Sequence, residues 1–81
     1  MISERDIRLI WNHTLGKTSE QSNENFFELG GDSLAALNML FTLSKRFSVE
    51  VSPSAIFENP TFQGFCAFVL SVAADQAQPD V

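Results

Sequence analysis

The sequence holds a single cysteine, Cys66, so no disulfide can form within the chain, and a reducing setting is expected. Cys66 falls in an apolar run with helical spacing and reads as a small buried core residue. Basic residues are scarce: five Lys and Arg against ten Asp and Glu give a net charge of −5. That balance argues against nucleic acid and anionic membranes as partners and suits docking to basic protein patches. No apolar run approaches the ~20 residues of a membrane-spanning helix, and no signal peptide is recognisable. A soluble, cytoplasmic, monomeric domain is the expectation. The sequence also has no internal repeats, no Cys/His metal set, no phosphate-binding glycine loop and no basic patch. The only histidine, His13, lies in a helical segment and reads as a surface residue. The carboxylates Glu20, Glu24, Glu28 and Glu50 are scattered, and most of them read as solvated.

What is present is apolar. Hydrophobic residues make up 44% of the 81, eight of them Phe, which places the chain among folded rather than disordered sequences. A chain this short makes one small domain, burying roughly 60% of its unfolded surface. That leaves little room for an enclosed active site.

Helical signals recur along the chain. Ser3 reads as an N-cap with Asp6 at the capping-box position, and Ile2 and Ile7 as a hydrophobic staple. Ile7, Ile10, Trp11 and Leu15 share one helical face, and Gly16 is a natural stop, so the first helix spans 4–15. Residues 17–25 have no periodicity and read as loop. Phe26–Leu29 is too short for an element and reads as a turn that plugs the core with one or two rings. A second helix spans Ser33 to about Arg46, capped by Asp32 or Ser33, with Lys45 and Arg46 complementing its C-terminal dipole. Residues 48–51 alternate like a strand but have nothing to pair with. Ser52-Pro53 opens a short helix ending near Phe57. Asn59-Pro60-Thr61 breaks it, and Thr61 caps a last helix whose face is Phe62, Phe65, Val69 and Val72, with Phe68 beside it. The expected fold is an all-α, small antiparallel four-helix bundle of three longer helices and one short one. The domain is expected to span 1–72, with 73–81 a flexible C-terminal linker stub.

The second helix carries more apolar residues than one face can bury. At about 100° per residue, Ala36, Met39, Leu40, Leu43 and Phe47 cluster on one side. Leu34, Leu37 and Phe41 fall on another. Either both stripes are buried between neighbouring helices, or the second stays exposed as a docking surface. The exposed reading is the expectation, because exposed apolar patches on soluble domains tend to mark interfaces.

One stretch is dense in chemical signal: Asn25-Phe26-Phe27-Glu28-Leu29-Gly30-Gly31-Asp32-Ser33-Leu34. A diglycine delivers Ser33 to the first turn of a helix, where open N–H groups and the dipole favour an anion. The stretch resembles the phosphopantetheine attachment signature of carrier proteins, most closely the peptidyl carrier (thiolation) domains of nonribosomal peptide synthetases. The resemblance extends to Trp11 with Leu15-Gly16, to Phe47 and Val49, and to Ile56-Phe57-Glu58-Asn59-Pro60-Thr61. Ile56 and Phe65 stand where the family usually has leucine. The resemblance implies an acyl-carrier-like bundle with no catalysis of its own. It implies that a phosphopantetheinyl transferase moves 4′-phosphopantetheine from coenzyme A to Ser33, and that the arm then carries aminoacyl or peptidyl groups as thioesters. Gly30 and Gly31 are expected to permit positive φ and close approach by an enzyme. Asp32 is expected to cap the helix and help present the serine, and Leu34 to flank the arm. Leu34, Leu37, Phe41 and Phe57 are the expected docking residues. The implied partners are the transferase and adenylation, condensation, epimerisation or thioesterase domains. Asp before the serine is loosely associated in the family with a following epimerisation domain.

Other readings of the same residues remain. Polyketide and fatty-acid acyl carriers share Asp-Ser-Leu, although the diglycine favours the peptide-synthetase branch. A small helical adaptor with an unmodified serine fits the same pattern. Gly31-Asp32-Ser33-Leu34 also spells a lipase and esterase motif, but that chemistry needs a histidine base beside the serine.

Overall fold

The computed structural model describes residues 1–76 and is all-α in that range. It contains α1 (Glu4–Leu15), α2 (Ser33–Phe47), α3 (Ser54–Glu58) and α4 (Phe62–Gln76). Helix α1 packs on both α2 and α4, and the short α3 packs on α4. The nearest thing to a sheet among the described residues is one isolated antiparallel bridge, Asn25 with Thr61.

Local sequence sets each boundary. The Ser3 side chain accepts from the Asp6 amide while Asp6 returns to Ser3, a complete capping box. Gly16 ends α1 at φ 66°, in the left-handed region where a Cβ is costly. Helix α2 runs one residue past Arg46 and stops at Ser48, which takes the same left-handed turn at φ 59° without being glycine. The short helix begins one residue later than its Ser-Pro signal implies. Pro53 already has helical angles, φ −56° and ψ −26°, and the Ser52 carbonyl accepts from Ala55, so the difference is one of terminal definition. Thr61 Oγ1 accepts from the Gly64 amide, the cap expected for α4.

Residues 73–76, expected to belong to a flexible linker, are helical. Ala73 is half-buried against the core, and α4 continues to Gln76. The Gln76 amide group accepts from Glu50 N at 3.0 Å and donates to Glu50 O at 2.9 Å, tying α4 to the α2–α3 loop. Residues 77–81 of that stub lie outside the described residues.

The core is built around Trp11. Its ring meets Phe26 at 5.4 Å and Phe62 at 5.2 Å, both edge-on, and Phe65 at 6.0 Å. Ala36, Met39, Leu40 and Leu43 supply the α2 side of this core, and Cys66 and Val69 the α4 side. Each fully buried large side chain contributes about 1.5–3 kcal/mol by leaving water. Phe26, from the turn before α2, is among them at 0% exposure. The segment that leads to Ser33 is therefore anchored in the core rather than laid over it.

Candidate functional site

The α1–α2 connection reaches Ser33 through a series of fixed points. Asn25 bridges to Thr61, Phe26 N donates to the Pro60 carbonyl at 2.8 Å, and Phe62 N donates to Glu24 O at 2.9 Å. The Asn25 side chain accepts from the amides of Phe27 and Glu28 and closes the next turn. Gly31 N then donates to the Phe26 carbonyl at 3.0 Å.

The two glycines serve different ends. Gly30 has φ 98° and open space around it, so its requirement is conformational. Gly31 is not in the positive-φ region. A Cβ there would lie 2.3 Å from the Phe26 ring, so this glycine is needed for close approach to the core aromatic beneath it rather than for a left-handed turn. The sequence reading expected positive φ and approach by an enzyme at both residues, and did not anticipate the packing of Gly31 against Phe26. The structure gives positive φ to Gly30 alone of the two.

Asp32 is the N-cap of α2. Its Oδ1 accepts from Ala35 N at 2.9 Å, and its carbonyl accepts from Ala36 N. The amides of Ser33 and Leu34 remain at the helix end with no acceptor among the described residues. Ser33 itself is exposed. An oxygen-linked phosphate fits here: it would meet two open N–H groups and the positive end of the α2 dipole, worth about 0.3–1 kcal/mol.

The second stripe of α2 faces outward. Leu34, Leu37 and Phe41 are 67%, 50% and 64% exposed, whereas Ala36, Met39, Leu40 and Leu43 are buried. Phe57 is also exposed, and its ring stacks on Phe27 at 5.1 Å, joining α3 to the turn before the serine. His13 is exposed in the last turn of α1, and no hydrogen bond joins it to Ser33 among the described residues. A groove of about 420 Å³ is lined by Phe47, Val49, Leu70 and neighbours, at the opposite end of α2 from Ser33.

Sequence reasoning missed Glu24, which is not a solvated carboxylate. Its Oε1 accepts from Arg8 Nη1 at 2.6 Å and from Trp11 Nε1 at 2.7 Å, and both charged side chains are below a tenth exposed. Arg8 Nη2 also donates to the Gln21 carbonyl, and the guanidinium lies 3.7 Å over the Phe62 ring. Burial pushes the Glu24 carboxyl up. Hydrogen bonds from Ser19, Arg8 and Trp11, with the Arg8 charge, outweigh it and hold the group below the ordinary carboxylate range. The available signal was Arg8, which falls on the same helical face as Trp11 and Leu15. An arginine within an apolar arc needs a buried acceptor.

A family model described as "Phosphopantetheine attachment site" matches residues 5–69, a span that holds this whole constellation. The chain belongs to that family. It is a carrier domain whose cofactor is 4′-phosphopantetheine. Tyrocidine synthase 3 of Brevibacillus parabrevis is 35% identical over 74 residues, covering 91% of this chain and 1% of that protein. The L-2-aminoadipate reductase large subunit of Candida glabrata is 41% identical over 68 residues, 82% of this chain and 5% of that protein. The carrier domain therefore spans only a few hundredths of the length of these relatives. Among solved structures, a complex of the phosphopantetheine transferase Sfp with coenzyme A and a peptidyl carrier protein matches with TM-score 0.77 at 25% identity, covering 88% of this chain and 92% of that one. No helix among the described residues is long and apolar enough to cross a membrane.

Proposed function

We propose that Ser33 is the residue that accepts 4′-phosphopantetheine, and that the domain carries aminoacyl or peptidyl groups within a nonribosomal peptide synthetase. The observation that carries this reading is the setting of Ser33: an exposed hydroxyl in the first turn of α2, its cap already engaged and two amides open beside it. In the transfer, Ser33 Oγ loses its proton and forms an O–P bond to the phosphate that bears pantetheine. The P–O bond to the second phosphate of coenzyme A breaks, releasing adenosine 3′,5′-bisphosphate. The attached arm supplies a terminal thiol on which the cargo rides as a thioester. Asp32 and the Phe26–Gly31 contact hold the backbone at Ser33 still while the hydroxyl remains accessible.

The partners on this reading are a phosphopantetheinyl transferase and the adenylation, condensation, epimerisation or thioesterase domains of a synthetase, in a cytoplasmic setting. Leu34, Leu37, Phe41 and Phe57 form the docking surface. On this reading the domain supplies position and recognition, and the chemistry belongs to the arm and the partner enzymes. The similarity to L-2-aminoadipate reductase favours a second reading of the parent protein, a reductase in place of a peptide synthetase. Both place the same demand on Ser33, and the domains encoded on either side decide between them.

The test is incubation with coenzyme A and a broad-specificity transferase, followed by intact mass. A gain of about 340 Da, absent in Ser33→Ala, is expected. No gain with an active transferase overturns the reading, and ester hydrolysis lost in Ser33→Ala would install a hydrolase in its place. Leu37→Asp and Phe41→Asp should each impair loading by a partner while shifting stability by no more than about 0.5 kcal/mol. Unfolding of either variant would make the stripe part of the core.

A further inference from the structure

The chain is acidic, but α2 is not. Its only charged residues are Lys45 and Arg46, both in the last turn. At about 100° per residue, Leu34, Phe41 and Lys45 fall within about 40° of one another, with Leu37 just to one side. Lys45 thus extends the exposed stripe by one more turn. Its Nζ lies 5.7 Å from the centre of the Phe41 ring, so the charge sits at the end of the apolar surface. Arg46 falls roughly 100° further round and leans toward Phe47 instead. Among the described residues the ion pairs are Arg5 with Glu20 and Arg8 with Glu24, so Lys45 is not spent on an internal partner. The stripe therefore has a direction: an acidic cap, Asp32, beside the serine, two apolar turns, and a cation about 16 Å from Leu34.

We propose that enzymes engaging Ser33 along α2 present an apolar patch with a carboxylate set against Lys45. This rests on Ser33 being the attachment residue. The whole-chain charge pointed instead to basic partner patches. Local charge decides here, because screening at physiological salt limits an exposed charge to roughly 8–10 Å, shorter than the stripe itself. An apolar strip alone accepts a partner in either direction along the helix. The Lys45 contact selects the one that delivers the serine to the partner's active site. Phosphatidylglycerol surfaces match the same apolar-and-basic pattern, but recognition of an anionic bilayer takes a cluster of about 4–8 basic residues, and the stripe has one.

The experiment measures kcat/KM for modification of Ser33 in the full chain by a phosphopantetheinyl transferase with coenzyme A, across ionic strength. Lys45→Glu should lower it about tenfold at low salt, mainly through KM, and Lys45→Gln about threefold, with both gaps closing as salt rises past ~0.3 M. Arg46→Glu makes the same change of net charge on another face and should stay within about twofold of wild type. Both glutamate variants place an anion in the last turn of α2 and should lower the melting temperature by a similar few degrees, so Arg46→Glu also controls for stability, while Lys45→Gln should shift it less. Three results overturn the proposal: Lys45 variants as fast as wild type at every salt, an Arg46→Glu loss equal to that of Lys45→Glu, or Lys45-dependent binding to phosphatidylglycerol vesicles. Failure of wild type to gain mass with an active transferase is a different result, and it removes the Ser33 reading itself.

Discussion

Glu24→Gln probes how the segment before the serine is anchored. The Glu24 and Arg8 side chains are 7% and 8% exposed, and their atoms lie 2.6 Å apart. Removing one partner of such a pair leaves the other charge buried, at a cost of about 3–5 kcal/mol. Glutamine keeps an amide oxygen that can still accept from Trp11 or Arg8, so the expected loss is about 2–4 kcal/mol at neutral pH. A domain of this size has only about 4–12 kcal/mol in total, so the variant should lose a large fraction of its stability. Urea unfolding followed by the emission of Trp11, the only tryptophan, gives the difference directly. The pH dependence has a definite sign. The folded-state pKa of Glu24 is held below its ordinary 4.5. The ion-pair stability is therefore fully present above that value and is lost as pH falls through the lower, folded one. The glutamine variant has no such group, so its stability should approach that of wild type as pH drops below 4.5. A variant within about 0.5 kcal/mol of wild type at neutral pH would refute the reasoning, as would a gap unchanged far into acid.

Two further predictions concern single residues. Gly31→Ala should cost about 1–3 kcal/mol because its Cβ meets the Phe26 ring, and Phe26→Leu in the same chain should recover part of the loss, read by urea midpoints. Gly30→Ala should cost about 1–2 kcal/mol through its positive φ, and Phe26→Leu should give that variant no recovery. Burial, with a lesser contribution from Glu4, pushes the Cys66 thiol up to about 11, so the native protein should resist thiol reagents in mild base and react only when urea unfolds it. Rapid labelling of the native state would contradict the buried position.

Local rules made the helices legible. The caps at Ser3 and Thr61 and the stop at Gly16 need only residues a turn apart and occur as read, and of the two candidates for α2 the structure selects Asp32 over Ser33. Angle alone separated Leu34, Leu37 and Phe41 from the core side of α2 but left open whether a neighbouring helix covers them; the structure turns them outward. What escaped depended on distance in sequence. Arg8 meets Glu24 across the loop, and Gly31 meets a ring five residues behind it only because Phe26 folds underneath. The end of α4 escaped too: small and polar residues at 73–76 read as linker, but the Gln76 contacts to Glu50 extend the helix.

Helix α2 keeps its two apolar sets on separate arcs. On the docking role proposed above for Leu34, Leu37, Phe41 and Lys45, selection would retune which enzymes are met at exposed positions, apart from buried Met39, Leu40 and Leu43 and without compensating changes inside. A handful of surface positions can thus diverge at the pace of partner choice while the scaffold stays under an older constraint.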